Sequence, residues 1–541
     1  MIKSKYIHWV VMMATVVVLG ISTLLIGYAS DTTVTEGMTM GYSNFIFNGD
    51  VISLNIIADP IAWSTMLENA TAETYIMVDV VINGKEIKNV GIRPKGNSSL
   101  SQVARDDTTD RFSFRIKFDQ YIKGQTFMGL DAMVINNMIG DNSYMKEYLS
   151  YDIMAYMEVE TPLYGFTDVF VNGEAWGFYL AIELYDDSYQ SRVYGNTSGN
   201  LYNVKSMDIG GNQMDANQAQ RPQGDVFSSD PAAFMNPDML NARTREGVAL
   251  DGFKPERGEA VEGREGIVGR GGMGMGNRGN TGGDLQYSDD LITSYAAIFE
   301  NGVGKIGESD QKKVIEALKH LNEGEVLEAY WDVDAILRYM AAHTVVVNLD
   351  SYSSNMAQNF YLYEKDGVLT ILPWDYNLAF GGFSSNSMTE VVNFPIDTPV
   401  SGVTMEERPL FNILLSQEAY KATYHEYLNA IVSDYFQEDQ WAKKIETLDQ
   451  LIGAYVEKDP TAFCTYEAYK KAIDTLTTLG TLRSESILGQ LEGTIPSTNE
   501  TQETAKEKLI QADTLSLEDL GSMGGGRNSG KMAIFDQVEM D

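Results

Sequence analysis

The sequence predicts an α+β protein, strand-rich in its first half and mostly helical in its second. Three observations carry this. Between 51 and 205 apolar and polar residues alternate, and Asn-Gly pairs interrupt the runs, as in strands joined by tight hairpins. Between 285 and 495 apolar residues recur at i, i+3 and i+4, the spacing of a helix with one buried stripe. Between these halves, 206–284 is rich in Gly, Asn, Gln and Met with few aliphatic residues. Such a segment has too little apolar surface to order itself and reads as a disordered insertion.

At the start, Lys3 and Lys5 precede an apolar run ending in "GYAS". The run has about twenty residues, enough to cross ~30 Å of hydrocarbon. Basic residues before it and the acidic Asp31 and Glu36 after it place the remainder outside the cytoplasm. Residues 1–30 are therefore read as a signal peptide or a membrane anchor, with cleavage and retention both open. A linker follows over 31–50.

Within 51–205, "ETYIMVDVVINGKEIKNVGIRPKG" is a hairpin turning at Asn83-Gly84, and "RFSFRIKFDQY" is a further strand. "NSYMKEYLSYDIMAYME" has helical spacing with Asn142 or Ser143 as its cap, and "FTDVFVNGEAWGFYLAIELYD" turns at Asn172-Gly173. Past the insertion, "DQKKVIEALKHL", "DVDAILRYMAAHTVVV" and "PLFNILLSQEAYKATYHEYLNAIVSDYF" are helical by the same spacing. Residues 496–541 read as a mobile polar tail.

A net charge of −36 excludes nucleic acid as a direct partner, because phosphate backbones demand clustered Lys and Arg. One cysteine, Cys464, excludes an internal disulfide framework and a Cys-rich zinc site. With four His, carboxylate and amide oxygens are the metal ligands to expect, which favours Mg²⁺, Mn²⁺ or Ca²⁺. Export with so little cysteine suits a Gram-positive cell surface.

The chemistry centres on "VVNLDSYSSNMAQNFYLYEKDGVLTILPWDYNLAFGG", residues 346–382. Asp350 ends one apolar run, a hairpin turns at Asp366-Gly367, and a second run delivers Asp375. Protein kinases order their catalytic parts this way: one Asp accepts the substrate hydroxyl proton, while an Asn and a second Asp hold Mg²⁺ on the phosphates. Asn355 stands five residues after Asp350, the kinase spacing. Upstream, "VGIRPKGNSSLS" offers Arg93, Lys95 and the Gly96-Asn97-Ser98 turn, suited to backbone donors near phosphate. Lys117 in "FRIK" matches a phosphate-contacting Lys, and Glu147 matches its ion-pair partner on the next helix. "GFYLAIELYDDSY" matches a hinge strand, with Glu183 at its end.

These stretches resemble the CotH family, the spore-coat-protein-H type of atypical kinases. "GIRPKGNSS", "SFRIKFDQY", "GQTFMGLDAMVINN", "GNLYNVK", "NLDSY", "NFYLY" and "ILPWDYNLAFGG" run in family order over about 50–430. The resemblance implies a bilobal kinase-like fold, a strand-rich lobe over 51–205 and a helical lobe over 285–495. It also implies ATP- and Mg²⁺- (or Mn²⁺-) dependent phosphorylation of protein Ser or Thr, of spore-coat proteins in some members. Asp350 is then the catalytic-loop Asp and Asp375 the metal-binding Asp. Asn359 fits the family's N-x-x-L-Y stretch slightly better than Asn355 as the amide ligand. Lys117 is the first choice for the phosphate contact, with Arg93 and Lys95 as alternatives. The family commonly carries a second acid two residues after PWD, where this chain has Asn377.

The resulting expectation is an exported kinase of the cell surface or spore envelope, with a protein acceptor that includes the chain itself as a candidate. A catalytically weak or inactive kinase-like scaffold is the alternative. A glycosidase ranks last, since no acid pair has dyad spacing.

Overall fold

The computed structural model describes residues 40–205, 282–437, 439–521 and 523. The chain divides into two units, one of which, 208–279, lies outside the described residues, while the other contains them all. The signal or anchor segment at 1–30 and the insertion through residue 281 also lie outside. Among the described residues no helix is long and apolar enough to cross a membrane.

The α+β class holds. In the first half, β1 (Ile52–Ile57), β2 (Ile76–Ile82), β3 (Lys85–Lys95), β4 (Ser113–Lys117), β5 (Ala132–Asn136), β6 (Tyr164–Val171) and β7 (Glu174–Glu183) close into a barrel in the order β1-β2-β3-β4-β5-β7-β6. Asn83 and Gly84 (φ 47° and 81°) turn β2 into β3, and Asn172 and Gly173 (φ 52° and 86°) turn β6 into β7. These residues tolerate the left-handed backbone of a two-residue hairpin. Closure comes from the parallel pairing of β1 with β6, Leu54 opposite Val169. Ile116, Ile92, Val80 and Leu54 fill the interior, each under 1% exposed.

One outer face of the barrel carries helices. Val134 on β5, Phe166 on β6 and Leu180 and Ile182 on β7 point out of the barrel into the second, larger core. Helix α1 (Ser98–Val103) follows β3, and α2 (Lys146–Tyr156) lies on this face, where Tyr148 stacks on Phe166 at 4.7 Å. The cap expected at Asn142 or Ser143 is not used. Instead the Asp141 carboxylate accepts the N–H of Ser143 (2.9 Å) and of Lys146 (2.8 Å), so the helix starts at Lys146.

In the second half, β10 (Phe360–Lys365) and β11 (Val368–Pro373) form the hairpin predicted at Asp366-Gly367, with φ of 53° and 89°. Strand β8 (Asn200–Val204) leaves the strand-rich half to pair with β10, and β9 (Gly302–Val303) extends that sheet. The longer helices are α3 (Glu308–Glu323), α4 (Val333–Val346), α5 (Pro409–Ser416), α6 (Glu418–Ala430), α7 (Gln440–Val456) and α8 (Tyr466–Leu491). Asp332 caps α4 through the N–H of Ala335 at 3.2 Å, and α4 packs on both α2 and β11.

The polar tail expected from 496 is built into the fold through Gly521, which corrects its reading as a free end. Ala512 and Leu520 are buried. Asn142 donates its N–H to Leu520 O at 3.1 Å, Lys146 Nζ donates to Gly521 O at 2.8 Å, and Met523 N–H donates to Gly382 O at 3.0 Å. Few apolar anchors suffice here because the backbone supplies the bonds.

Candidate functional site

The two loops that carry Asp350 and Asp375 are joined by one side chain. Asn348, fully buried, accepts the N–H of Asp350 on Oδ1 (3.2 Å) and donates Nδ2 to the carbonyl of Asp375 (3.3 Å). The two acids therefore leave backbones one amide apart. Asp350 receives Gln358 Nε2 on Oδ1 (2.7 Å) and Asn359 Nδ2 on Oδ2 (3.0 Å). Burial, then the negative charge of Asp375, pushes its pKa up to about 6. Asp375 at φ 63° and Asn359 at φ 60° occupy the left-handed region, which costs a non-glycine residue about 1–2 kcal/mol and suits Asn and Asp best.

Glu147, at the start of α2, is buried beside them. It accepts Asn136 Nδ2 on Oε2 (3.0 Å) and the N–H of Tyr376 on Oε1 (3.3 Å). Burial and the charge of Asp375 raise its pKa to about 7, opposed by Asn136 and by Lys95. Lys95 Nζ donates to Asn136 Oδ1 at 3.1 Å. A polar chain thus runs from Lys95 through Asn136 and Glu147 to the backbone of Tyr376, next to Asp375.

Lys117, the first choice from sequence for a phosphate contact, is not brought to the acids. In the β3–β4 register Lys95 faces Ser113 while Lys117 faces Gly91, four residues and roughly 13 Å further along the strand. Lys117 Nζ sits 3.5 Å from Asp119 Oδ1, its side chain 39% exposed. Glu183 is likewise absent from the site. It is fully buried, bonded to Arg192 Nη2 (2.6 Å), to Tyr42 Oη and to the N–H of Leu163 (2.9 Å). Its lone pairs are spent on closing the barrel wall, which corrects its reading as a cofactor contact. Asn355 is exposed near Gly402, whereas Asn359 touches Asp350. Gly96, at φ 130°, turns the chain directly after Lys95 into the Asn97-Ser98 start of α1.

Two basic residues that sequence reasoning missed join Lys95. Arg93 and Arg115 are cross-strand partners on the outer face of β3 and β4. Burial lowers the pKa of Lys205, just past the end of β8; the Glu73 carboxylate opposes this and the like charges of Lys95, Arg115 and Arg93 add to it. Arg93 is paired with Glu73, but Arg115 Nε is buried with no hydrogen-bond partner among the described residues. The Tyr361 hydroxyl lies within electrostatic reach of Arg115, Asp186 and Asp375, so Arg115 and Asp375 are neighbours of one hydroxyl. Alternation alone marks Arg115 as facing the same way as Lys117; nothing local shows that β8 brings Lys205 there.

Among the described residues no three His, Cys, Asp or Glu side chains form a ready metal cage. The donor set still fits Mg²⁺, which is held by one or two carboxylates and completes its octahedron with phosphate oxygens and water. Two acids whose charges oppose one another, plus the Asn359 amide, supply such a set. Asn377 is anchored by its amide nitrogen, which donates to the carbonyl of Ile139 at 3.0 Å. A surface depression of about 460 Å³ lined by Asp168, Phe170, Phe178, Tyr455, Lys458 and Pro460 shares no residue with this site.

The family model described as CotH kinase protein matches residues 92–235 and 278–487, most of the chain and every residue of the site just described. No curated protein matches it.

Proposed function

Because the chain belongs to the CotH kinase family, we propose that it is a phosphotransferase that moves the γ-phosphoryl group of ATP to Ser or Thr of a protein. The reading extends to a bilobal kinase-like arrangement, in which the barrel and α2 form one lobe and the β8–β11 sheet with the later helices the other. The observation that carries it is the hydrogen-bonded path from Lys95 through Asn136 and Glu147 to the backbone beside Asp375, with Arg115 near the same Asp375 across the Tyr361 hydroxyl and Lys205 beside both cations. In a chain of net charge −36, a cluster of Lys95, Arg115 and Lys205 with Glu73 and Glu147 as its carboxylate neighbours among the described residues suits an anion, and an Arg115 Nε without a bond there favours phosphate.

Asp375 and the Asn359 amide oxygen would hold a divalent cation, which supplies charge neutralisation to the phosphates. Lys95 and Arg115 bind the phosphate oxygens, and Glu147 holds Lys95 in line through Asn136. Asp350 orients the acceptor hydroxyl and takes its proton. Its raised pKa makes it a stronger base than an ordinary Asp while leaving it ionised near pH 7. Catalysis here is positioning and charge compensation rather than covalent chemistry.

We place this activity outside the cytoplasm, at a cell surface or spore envelope, on the strength of the apolar run near Lys3 and Lys5. Incubation with labelled ATP, Mg²⁺ and a generic protein acceptor tests the reading. Incorporation by wild type and its loss in Asp375→Asn, which keeps a residue suited to the left-handed backbone there, in a variant that still unfolds cooperatively support it; no incorporation, with no Mg·ATP thermal shift, supports the scaffold alternative instead.

A further inference from the structure

His343 lies on α4 and is 1% exposed. Its Nδ1 is 2.8 Å from Tyr376 Oη, on the residue after Asp375. Its Nε2 is 3.0 Å from Ser353 Oγ and 3.1 Å from Ser351 Oγ, on the loop that begins at Asp350. Tyr339 stacks on one ring face at 5.4 Å and Phe411 meets it edge-on at 6.4 Å, so the ring plane is set. Burial holds the imidazole neutral, with its pKa pushed down to about 3, and a neutral ring carries one N–H. Ser351 Oγ donates to the carbonyl of Asn348 at 2.6 Å, which leaves its lone pairs to accept. A proton on Nε2, facing the serines, lets Nδ1 accept from the Tyr376 hydroxyl, whose oxygen then accepts from the Tyr339 hydroxyl at 3.4 Å.

We propose that His343 is a positioning residue for the site: by bonding Ser351 and Ser353 on one side and Tyr376 on the other, it fixes the separation of Asp350 and Asp375. The proposal rests on the reading that these two acids work on one cation and its phosphates. A histidine serves where a phenylalanine of similar shape would not, because both ring nitrogens are used and they point to different loops. Asn348 ties the same loops through their backbones; His343 ties them through three hydroxyls.

A core histidine that is merely satisfied would leave Tyr376 and the serines linked only through Asn348, which accepts from both serines and donates to the carbonyl of Asp375, and removing the ring would not change that coupling. A positioning histidine couples them. The test is a double-mutant cycle on the full chain, run in wild type and again in His343→Phe, where the coupling should disappear. It compares Tyr376→Phe, the pair Ser351→Ala with Ser353→Ala, and all three together. Each removes only hydroxyls. Two readouts are taken: kcat and KM for ATP, and Mn²⁺ affinity without nucleotide, by the loss of the free-ion electron-paramagnetic signal. Coupled loops predict that each variant weakens Mn²⁺ binding and lowers kcat about fivefold, and that the combination stays near fivefold to tenfold because one path is cut once. Effects that multiply to about twenty-fivefold, or Mn²⁺ affinity untouched by both variants, would overturn the role. Wild-type protein that binds no Mn²⁺ would overturn the site reading and this role with it, whereas tight wild-type binding with multiplying effects would overturn the role alone.

Discussion

Replacing Asp350 by Asn should stabilise the protein at neutral pH while removing its phosphotransfer. Burial and the neighbouring Asp375 raise the Asp350 pKa from 3.8 to about 6. The folded state therefore keeps a proton near pH 5 that the unfolded chain has released. Stability from this group is complete below the unfolded pKa and is lost as pH rises through the folded one. Two pH units correspond to about 3 kcal/mol of strain at pH 7. Asparagine lifts that strain but cannot accept from both Gln358 and Asn359, whose amides donate to the two carboxylate oxygens. One bond lost costs about 1 kcal/mol. The net expectation is a gain of about 2 kcal/mol at pH 7.5 and a loss of about 1 kcal/mol near pH 4. Urea unfolding in EDTA at both pH values measures it. Equal destabilisation at the two pH values would show that the carboxylate is not strained by its surroundings, and the electrostatic picture of the site would fail.

Other substitutions separate residues that the sequence leaves equivalent. Lys95→Met should lower kcat/KM about a hundredfold through loss of a preorganised cation, while Lys117→Met, at the far end of the strand, should stay within about twofold; steady-state kinetics on the pair reverses the assignment if the ranking is opposite. Asn377→Asp replaces a donor to the Ile139 carbonyl (3.0 Å) with a charge, a cost of about 1–3 kcal/mol that should lower the urea midpoint; an unmoved midpoint would free the amide for another role. Leu520→Ala empties a side chain that is 1% exposed and should cost about 2–4 kcal/mol, and a surface-like loss below about 0.5 kcal/mol would mean the terminal segment is not packed as described.

Much of this architecture is written locally. Asn83-Gly84, Asn172-Gly173 and Asp366-Gly367 each announce a hairpin, because few other pairs take two left-handed residues in succession. Asp350 and Asp375 stand out as acids ending apolar runs with a hairpin between them. What could not be read depends on pairings between distant segments. Lys95 and Lys117 share chemistry and strand face, and only the register that sets Lys95 against Ser113 decides which of them reaches Asn136. Lys205 looks like the end of a surface strand until β8 is paired with β10. Glu183 has the composition of a hinge contact, and only the approach of Tyr42 and Arg192, one of them from a helix 141 residues earlier, shows its lone pairs to be taken. Closure of the barrel through β1 and β6 is of the same kind.

The central claim is that Asp350, Asp375 and the Lys95–Arg115–Lys205 group make one cation–phosphate site. A crystal structure with Mn²⁺ and a non-hydrolysable ATP analogue, with the ion located by its anomalous signal, tests it most directly. The metal is expected about 2.1–2.2 Å from an Asp375 oxygen, with phosphate oxygens on Lys95 and Arg115. An analogue bound elsewhere on the chain, or an ion ligated without Asp375, would contradict it.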